Sequence, residues 1–257
     1  MSNFIFAIEG LDGCGKETQS KLISESLTEL GIKNKVVSFP NYDSETGKYI
    51  TSFLHGEFIL PKAGVFPLYS LDRYFSYIKN WKNDYEEGTV IICDRYVYSN
   101  IIYQCSHLYD LDDFELLRDN ILHYEHEILT LPRPTATYFL KTQNLDILAN
   151  NMLKRYVGQE DKKDIYEKDM KLLSDCMYAA NRLEKSEHNF YCLDCATQTE
   201  MYDREYIRNN ILASILTFIA TDEDSNYDES KLETLFLHRD EIARHCSEKW
   251  WNDYAGR

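Results

Sequence analysis

The sequence predicts an α/β protein of three layers: a five-stranded parallel sheet with helices on both faces. Three observations predict it. Short apolar runs of strand length recur along the chain and alternate with longer stretches of helical spacing. The first run is apolar without alternation, as in a strand covered on both faces. The stretches between them are long enough for the crossovers that parallel strands need.

The elements follow in order. Residues 3–8 (N-F-I-F-A-I) form the first strand and run into Glu9-Gly10. Residues 15–30 carry helical spacing at Leu22, Ile23, Leu27 and Leu30, and Gly31 stops the helix. Residues 35–39 (K-V-V-S-F) read as the second strand, closed by Pro40, and residues 89–93 (T-V-I-I-C) as the third. Residues 135–140 (T-A-T-Y-F-L), entered after Pro132 and Pro134, give the fourth, and residues 189–193 (N-F-Y-C-L) the fifth. Helices are expected at 46–54, 66–82, 111–129, 145–154, 166–184 and 200–220. Residues 1–220 read as one domain. Residues 221–229 are polar and acidic, and residues 230–257 read as an amphipathic terminal helix packed back on the core.

The net charge is −15 and the pI about 4.9. Such a surface repels phosphodiester backbones, which argues against a DNA or RNA partner, while a small phosphorylated ligand depends only on local amides and cations. No apolar stretch approaches the ~20 residues of a membrane helix, and Met1-Ser2-Asn3-Phe4 lacks the basic start of a secretory signal. The expectation is a soluble cytoplasmic protein. Seven cysteines are scattered, with C-x-x-C spacing only at Cys192 and Cys195, and no second pair completes a zinc set. They read as reduced thiols.

The first strand leads into Gly10-Leu11-Asp12-Gly13-Cys14-Gly15-Lys16-Glu17-Thr18. This is G-x-x-x-x-G-K between a strand and a helix. Its glycines let backbone N–H groups turn inward around phosphate oxygens, and the lysine reaches the β- and γ-phosphates of ATP. The hydroxyl residue that normally follows the lysine and ligates Mg²⁺ is here Glu17. Two readings stand: the carboxylate holds the metal, or it faces solvent and the metal is held by phosphates and water. The third strand ends in Asp94-Arg95. An aspartate at the carboxyl end of a parallel strand lies where ligands bind in such sheets and can orient a metal shell, and the guanidinium beside it can clamp phosphate.

At this point the sequence resembles the thymidylate kinase family. The segment I-E-G-L-D-G-C-G-K-E-T-Q (residues 8–19) is similar to the family's phosphate loop. F-P-N-Y (39–42) with Thr46-Gly47 and H-G-E-F (55–58), L-Y-S-L-D-R-Y (68–74), D-R-Y-V-Y-S-N-I-I-Y-Q (94–104) and K-D-I-Y-E-K-D (163–169) match further family segments in order. The resemblance spans about residues 3–220. It implies ATP and Mg²⁺ at the phosphate loop and a deoxypyrimidine monophosphate, with dTMP foremost, as acceptor.

The resemblance also implies residue roles. Asp12 accepts from the 3′-hydroxyl, Tyr69 stacks on the base, Arg73 donates to O4 and Asn100 pairs with the polar base edge. Tyr103 excludes a 2′-hydroxyl, and Arg95 and Tyr42 hold the acceptor phosphate. Phe39 and Ser99 complete the nucleotide pocket, and Tyr166 and Glu167 close over it. Lys16, Arg95, Asp94 and Asp12 are the implied catalytic set, with Glu17 and Asp94 at the metal. A lid at about residues 155–165, beginning with Arg155, supplies a cation in place of the arginine that many relatives carry at the positions of Gly13 and Cys14. A homodimer is implied as well. dUMP or another deoxynucleoside monophosphate as acceptor, or a nucleotide-binding switch or scaffold without kinase activity, remain alternatives.

Overall fold

The apolar runs pair into one parallel sheet in the order β2-β3-β1-β4-β5. The computed structural model describes residues 3–142, 144–155, 170–222 and 229–254. Strand β1 is Ile5–Gly10, β2 Asn34–Ser38, β3 Val90–Asp94, β4 Ala136–Lys141 and β5 Phe190–Asp194. Each expected strand is present. β1 runs two residues beyond its expected end because it continues to pair with β4, Glu9 opposite Phe139 and Gly10 opposite Leu140. On its other side it pairs with β3, Ile5 opposite Ile91 and Ile8 opposite Asp94. The central strand therefore delivers its carboxyl end between two neighbours.

Successive residues of β1 point to opposite faces. Phe6 and Ile8 join one core cluster with Ile23, Leu27, Leu173, Cys176, Ile211 and Ile215. Ile5 and Ala7 join the other with Tyr77, Trp81, Tyr96 and Leu131. Both faces are covered, so the continuous apolar runs have a physical cause.

The helices are α1 (Lys16–Glu29), α2 (Glu45–Leu54), α3 (Lys62–Ser76), α4 (Lys82–Glu86), α5 (Val97–Gln104), α6 (Leu111–His123), α7 (Leu145–Arg155), α8 (Met170–Ser186), α9 (Arg204–Thr221) and α10 (Glu229–Tyr254). Two stretches expected as unbroken helix contain a wide turn. A π-helical segment, Tyr77–Trp81, joins α3 to α4, and another, Tyr124–Ile128, continues α6. The α9 helix starts later than expected because Asp203 caps it, accepting from the backbone N–H of Glu205 at 2.8 Å and Tyr206 at 3.4 Å. The sequence reading placed no helix at α5. The expected start of the 166–184 helix lies outside the described residues.

Helix α10 lies along α9, with Leu235 buried in the larger core cluster. Lys231 Nζ donates to the Gly31 carbonyl at the end of α1, 3.2 Å away. Among the described residues no helix is long and apolar enough to cross a membrane, and the six described cysteines are free.

Candidate active site

The site grows from the end of β1. Gly10 has φ 148°, and a Cβ there would lie 2.6 Å from Cys14 Sγ and 3.0 Å from the Leu140 carbonyl. The turn closes tightly onto β4, and only glycine fits. Leu11 and Cys14 send their side chains into the core, so they offer a ligand only backbone. Gly15, with φ 96°, caps α1. Lys16 is buried, and its Nζ donates to the Leu11 carbonyl at 2.9 Å and approaches Asp12 Oδ1 at 3.4 Å.

Arg95 follows β3 in a left-handed backbone conformation, φ 67°, uncommon for a residue with a side chain. Its guanidinium donates to Asp12 Oδ1 at 2.6 Å and to the Gly10 carbonyl at 3.1 Å, and lies over the Tyr103 ring. The two expected phosphate-binding segments are thus tied together. Burial alone raises the Asp12 pKa, but Arg95 and Lys16 outweigh it and hold the carboxyl below its ordinary value. For Asp94 burial dominates over Lys16 and Arg95, and its pKa is raised. Glu17, on the first turn of α1, accepts from Lys21 Nζ at 2.7 Å. Among the described residues no group of three or more His, Cys, Asp or Glu side chains is placed to hold a metal.

A single cavity of about 1060 Å³ joins these residues to the rest of the expected set. Asp12, Gly13, Gly15, Lys16, Glu17 and Thr18 line one part. Phe39, Tyr42, Tyr69, Arg73, Asp94, Arg95, Ser99, Asn100 and Tyr103 line the remainder. Its volume exceeds the ~300–1,000 Å³ usual for one small ligand. The Arg155 side chain and residues Tyr166 and Glu167 lie outside what is described, and so does most of the expected lid. The turn at 196–199 is not among the cavity walls.

Three buried carboxylates that the sequence reading passed over organise the walls. Glu9 Oε1 accepts from the backbone N–H of Tyr96 at 2.7 Å and Ser99 at 3.1 Å, and Oε2 from Ser99 Oγ at 2.5 Å. It holds the start of α5, and burial raises its pKa. Asp72 Oδ2 accepts from the Asn41 N–H at 2.8 Å, and Oδ1 from Ser44 Oγ at 2.9 Å and Thr46 Oγ1 at 2.7 Å. It fixes the loop after β2, which enters through the cis Phe39–Pro40 bond. Glu125 pairs with Arg73, Nε to Oε2 at 2.8 Å and Nη2 to Oε1 at 2.5 Å. Asn100 Nδ2 donates to Glu125 Oε1 at 2.7 Å. A legible signal existed for Glu9 alone, a carboxylate directly continuing an apolar strand.

Asn151 of α7 was also missed. Its Nδ2 donates to the Gly13 carbonyl at 3.1 Å, bringing α7 against the phosphate loop.

A phosphate loop facing a second, aromatic and guanidinium-lined wall across one cavity defines a P-loop nucleoside-monophosphate kinase. The thymidylate kinase family model matches residues 8–205. The chain belongs to the thymidylate kinase family. Thymidylate kinase of Leptospira borgpetersenii is 40% identical over 39% of this chain and 49% of its own length. That of Leptospira interrogans is 36% identical over 46% of this chain and 56% of its own length. The matched stretches thus span about half of these relatives. The solved thymidylate kinase of Candida albicans superposes with a TM-score of 0.61 at 21% identity, over 84% of this chain and 92% of that one, and shares the fold.

Proposed function

We propose that this chain transfers the γ-phosphoryl group of ATP to dTMP, giving dTDP and ADP. The observation that carries the reading is the shared cavity. Lys16 on one wall and Tyr69, Arg73, Arg95 and Asn100 on the other border the same space. A switch protein needs no second wall of this kind.

Phosphoryl transfer requires in-line positioning and cancellation of spreading negative charge. The amides of the 10–18 loop and the start of α1 bind the donor polyphosphate. Lys16 leaves the Leu11 carbonyl to reach the β- and γ-phosphates. Tyr69 stacks on the thymine ring, Arg73 donates to O4 and Tyr103 crowds the 2′ position. Asp12 Oδ2 has no hydrogen-bond partner among the described residues, which leaves it open to the 3′-hydroxyl. Arg95, anchored on Gly10 and Asp12, holds the acceptor phosphate beside the donor, with Tyr42 at the rim. The acceptor oxygen then attacks the γ-phosphorus directly, and Lys16 and Arg95 stabilise the charge that develops.

Mg²⁺ characteristically takes one or two carboxylates and completes its shell with phosphates and water. Asp94 on the cavity wall, with Glu17 nearby on α1, fits that donor set. When bound, the metal supplies charge neutralisation on the β- and γ-phosphates. Residues 1–220 form the kinase unit and residues 221–257 an extension to it. The protein acts as a cytoplasmic homodimer.

ADP release measured with dTMP, dUMP, dCMP, dGMP and dAMP in turn tests the reading. Acceptor-dependent release, greatest with dTMP, is expected. ADP release indifferent to every acceptor refutes it.

A further inference from the structure

Glu125 does not border the cavity, yet it touches both side chains that meet the base edge. It sits in the wide turn after α6 and is fully buried. Its Oε1 accepts from Arg73 Nη2, Asn100 Nδ2 and Ser70 Oγ, the last at 2.9 Å, and its Oε2 accepts from Arg73 Nε. Asn100 Nδ2 also donates to the Phe66 carbonyl at 3.2 Å and Ser70 Oγ at 3.1 Å. Arg73 and Asn100 are themselves cavity walls.

This arrangement removes a freedom that an asparagine normally has. An amide can turn over and exchange donor for acceptor. Here a flip would set Asn100 Oδ1 against a carboxylate oxygen and a backbone carbonyl, acceptor against acceptor. The NH₂ group is therefore pinned toward Glu125, and Oδ1, which takes no hydrogen bond among the described residues, is the atom left for a ligand. Arg73 commits Nε and Nη2 to the same carboxylate. Its Nη1, with no partner among the described residues, remains as a donor.

We propose that Glu125 is a positioning residue that sets base specificity: by fixing Asn100 as an acceptor and Arg73 as a donor, it selects a pyrimidine offering a ring N–H beside a carbonyl over one offering an unprotonated ring nitrogen beside an amine. Thymine and uracil satisfy the pattern, and cytosine opposes it at both atoms. The inference rests on the reading that this wall receives the acceptor base. It leaves the 5-methyl group to other contacts.

Glu125→Gln tests it. Glutamine removes the charge and leaves one amide to serve Arg73 Nη2 and Asn100 Nδ2, which share Oε1, so the Asn100 amide is no longer pinned and is free to present Nδ2 to the base. Expected is a fall of at least ~10-fold in the ratio of kcat/KM for dTMP to that for dCMP, with KM for ATP unchanged. Glu125→Asp keeps a buried charge for Arg73 but withdraws it by one methylene. It serves in the same assay should the glutamine variant not be recovered folded by circular dichroism. A uniform loss on both nucleotides, with the ratio preserved in a folded variant, overturns the proposal and leaves Glu125 a structural residue. Equilibrium binding of dTMP and dCMP to the wild-type chain and the variant gives the same ratio without turnover. A wild-type chain that binds dTMP over dCMP but transfers no phosphoryl group refutes the kinase reading alone, and the shift in binding ratio still decides this one. Equal binding of the two nucleotides to the wild-type chain, or no binding of either, overturns it.

Discussion

Replacing Asp72 by alanine should detach one wall of the acceptor pocket while leaving the donor site in place. The carboxylate takes three hydrogen bonds, from the Asn41 amide and the Ser44 and Thr46 hydroxyls, all to the loop that carries Phe39, Pro40 and Tyr42. It is 1% exposed, so water does not substitute for the lost acceptor. Hydrogen bonds to a charged group contribute about 1.5–3 kcal/mol each. Three neighbours sharing one acceptor do not add fully, so the cost comes to about 3–5 kcal/mol. At ~2–4 °C per kcal/mol for a chain of this size, Tm should fall by ~6–20 °C. Asp72→Asn keeps an oxygen for the hydroxyls but turns an amine toward the Asn41 N–H, and should cost ~1–3 kcal/mol. Urea denaturation gives the stabilities. Steady-state kinetics should show KM for dTMP rising well above wild type and KM for ATP nearly constant. A loss below ~1 kcal/mol for the alanine variant, or equal rises in both KM values, would show that Asp72 does not hold this loop.

Other perturbations follow from the same geometry. Gly47→Ala should abolish soluble folded protein, since its Cβ would lie 1.9 Å from the Asn41 carbonyl oxygen and 2.7 Å from Tyr42 Cα; thermal unfolding of any recovered material checks this. Lys16→Met should remove turnover and leave the circular dichroism spectrum unchanged, because among the described residues its Nζ bonds only to the phosphate loop itself. Asp12 has a folded pKa below its ordinary 3.8. Its stabilising contribution is therefore complete above the unfolded value and is lost as pH falls through the folded one. Asp12→Asn should flatten that part of the acid limb in denaturation series run from about pH 5 to pH 2. Asn151→Ala removes one hydrogen bond to the phosphate loop, worth about 1 kcal/mol, and should raise KM for ATP roughly fivefold with little change for dTMP.

Much of the fold was legible because the sheet is buried on both sides. Its inner strands β1 and β3 are buried at nearly every position and read as continuous apolar runs, whereas the edge strands β2 and β5 are only partly buried and mix polar with apolar residues. The phosphate loop was legible because its chemistry is local: glycine spacing, a lysine and a following helix lie in one run of residues. The acceptor wall needed the family resemblance, since Tyr69, Arg73 and Asn100 carry no signal apart from their order. Asp72 and Arg73 are two adjacent charged residues on a helix, a pattern common on protein surfaces. Both are buried instead, and as adjacent helical residues they face different partners, the 41–46 loop and Glu125. Glu125 itself was beyond reach. Its partner lies 52 residues away in sequence, and it sits in a wide turn that helical periodicity does not foresee.

That wide turn has a consequence for how the chain can change. Between Tyr124 and Ile128 the backbone closes from residue 124 to residue 129 rather than 128, with the Leu129 N–H on the Tyr124 carbonyl. The surplus residue lets the consecutive Glu125 and His126 both be buried, and it absorbs the mismatch between α6 and the stretch leading to β4. Deleting one residue here would tighten the coil to ordinary pitch and swing everything beyond it by about 100° around the axis. A shift in length at this spot would unmake the buried contact between Glu125 and Arg73 of α3. The segment is thus a spacer in which both the residue count and the carboxylate of Glu125 matter.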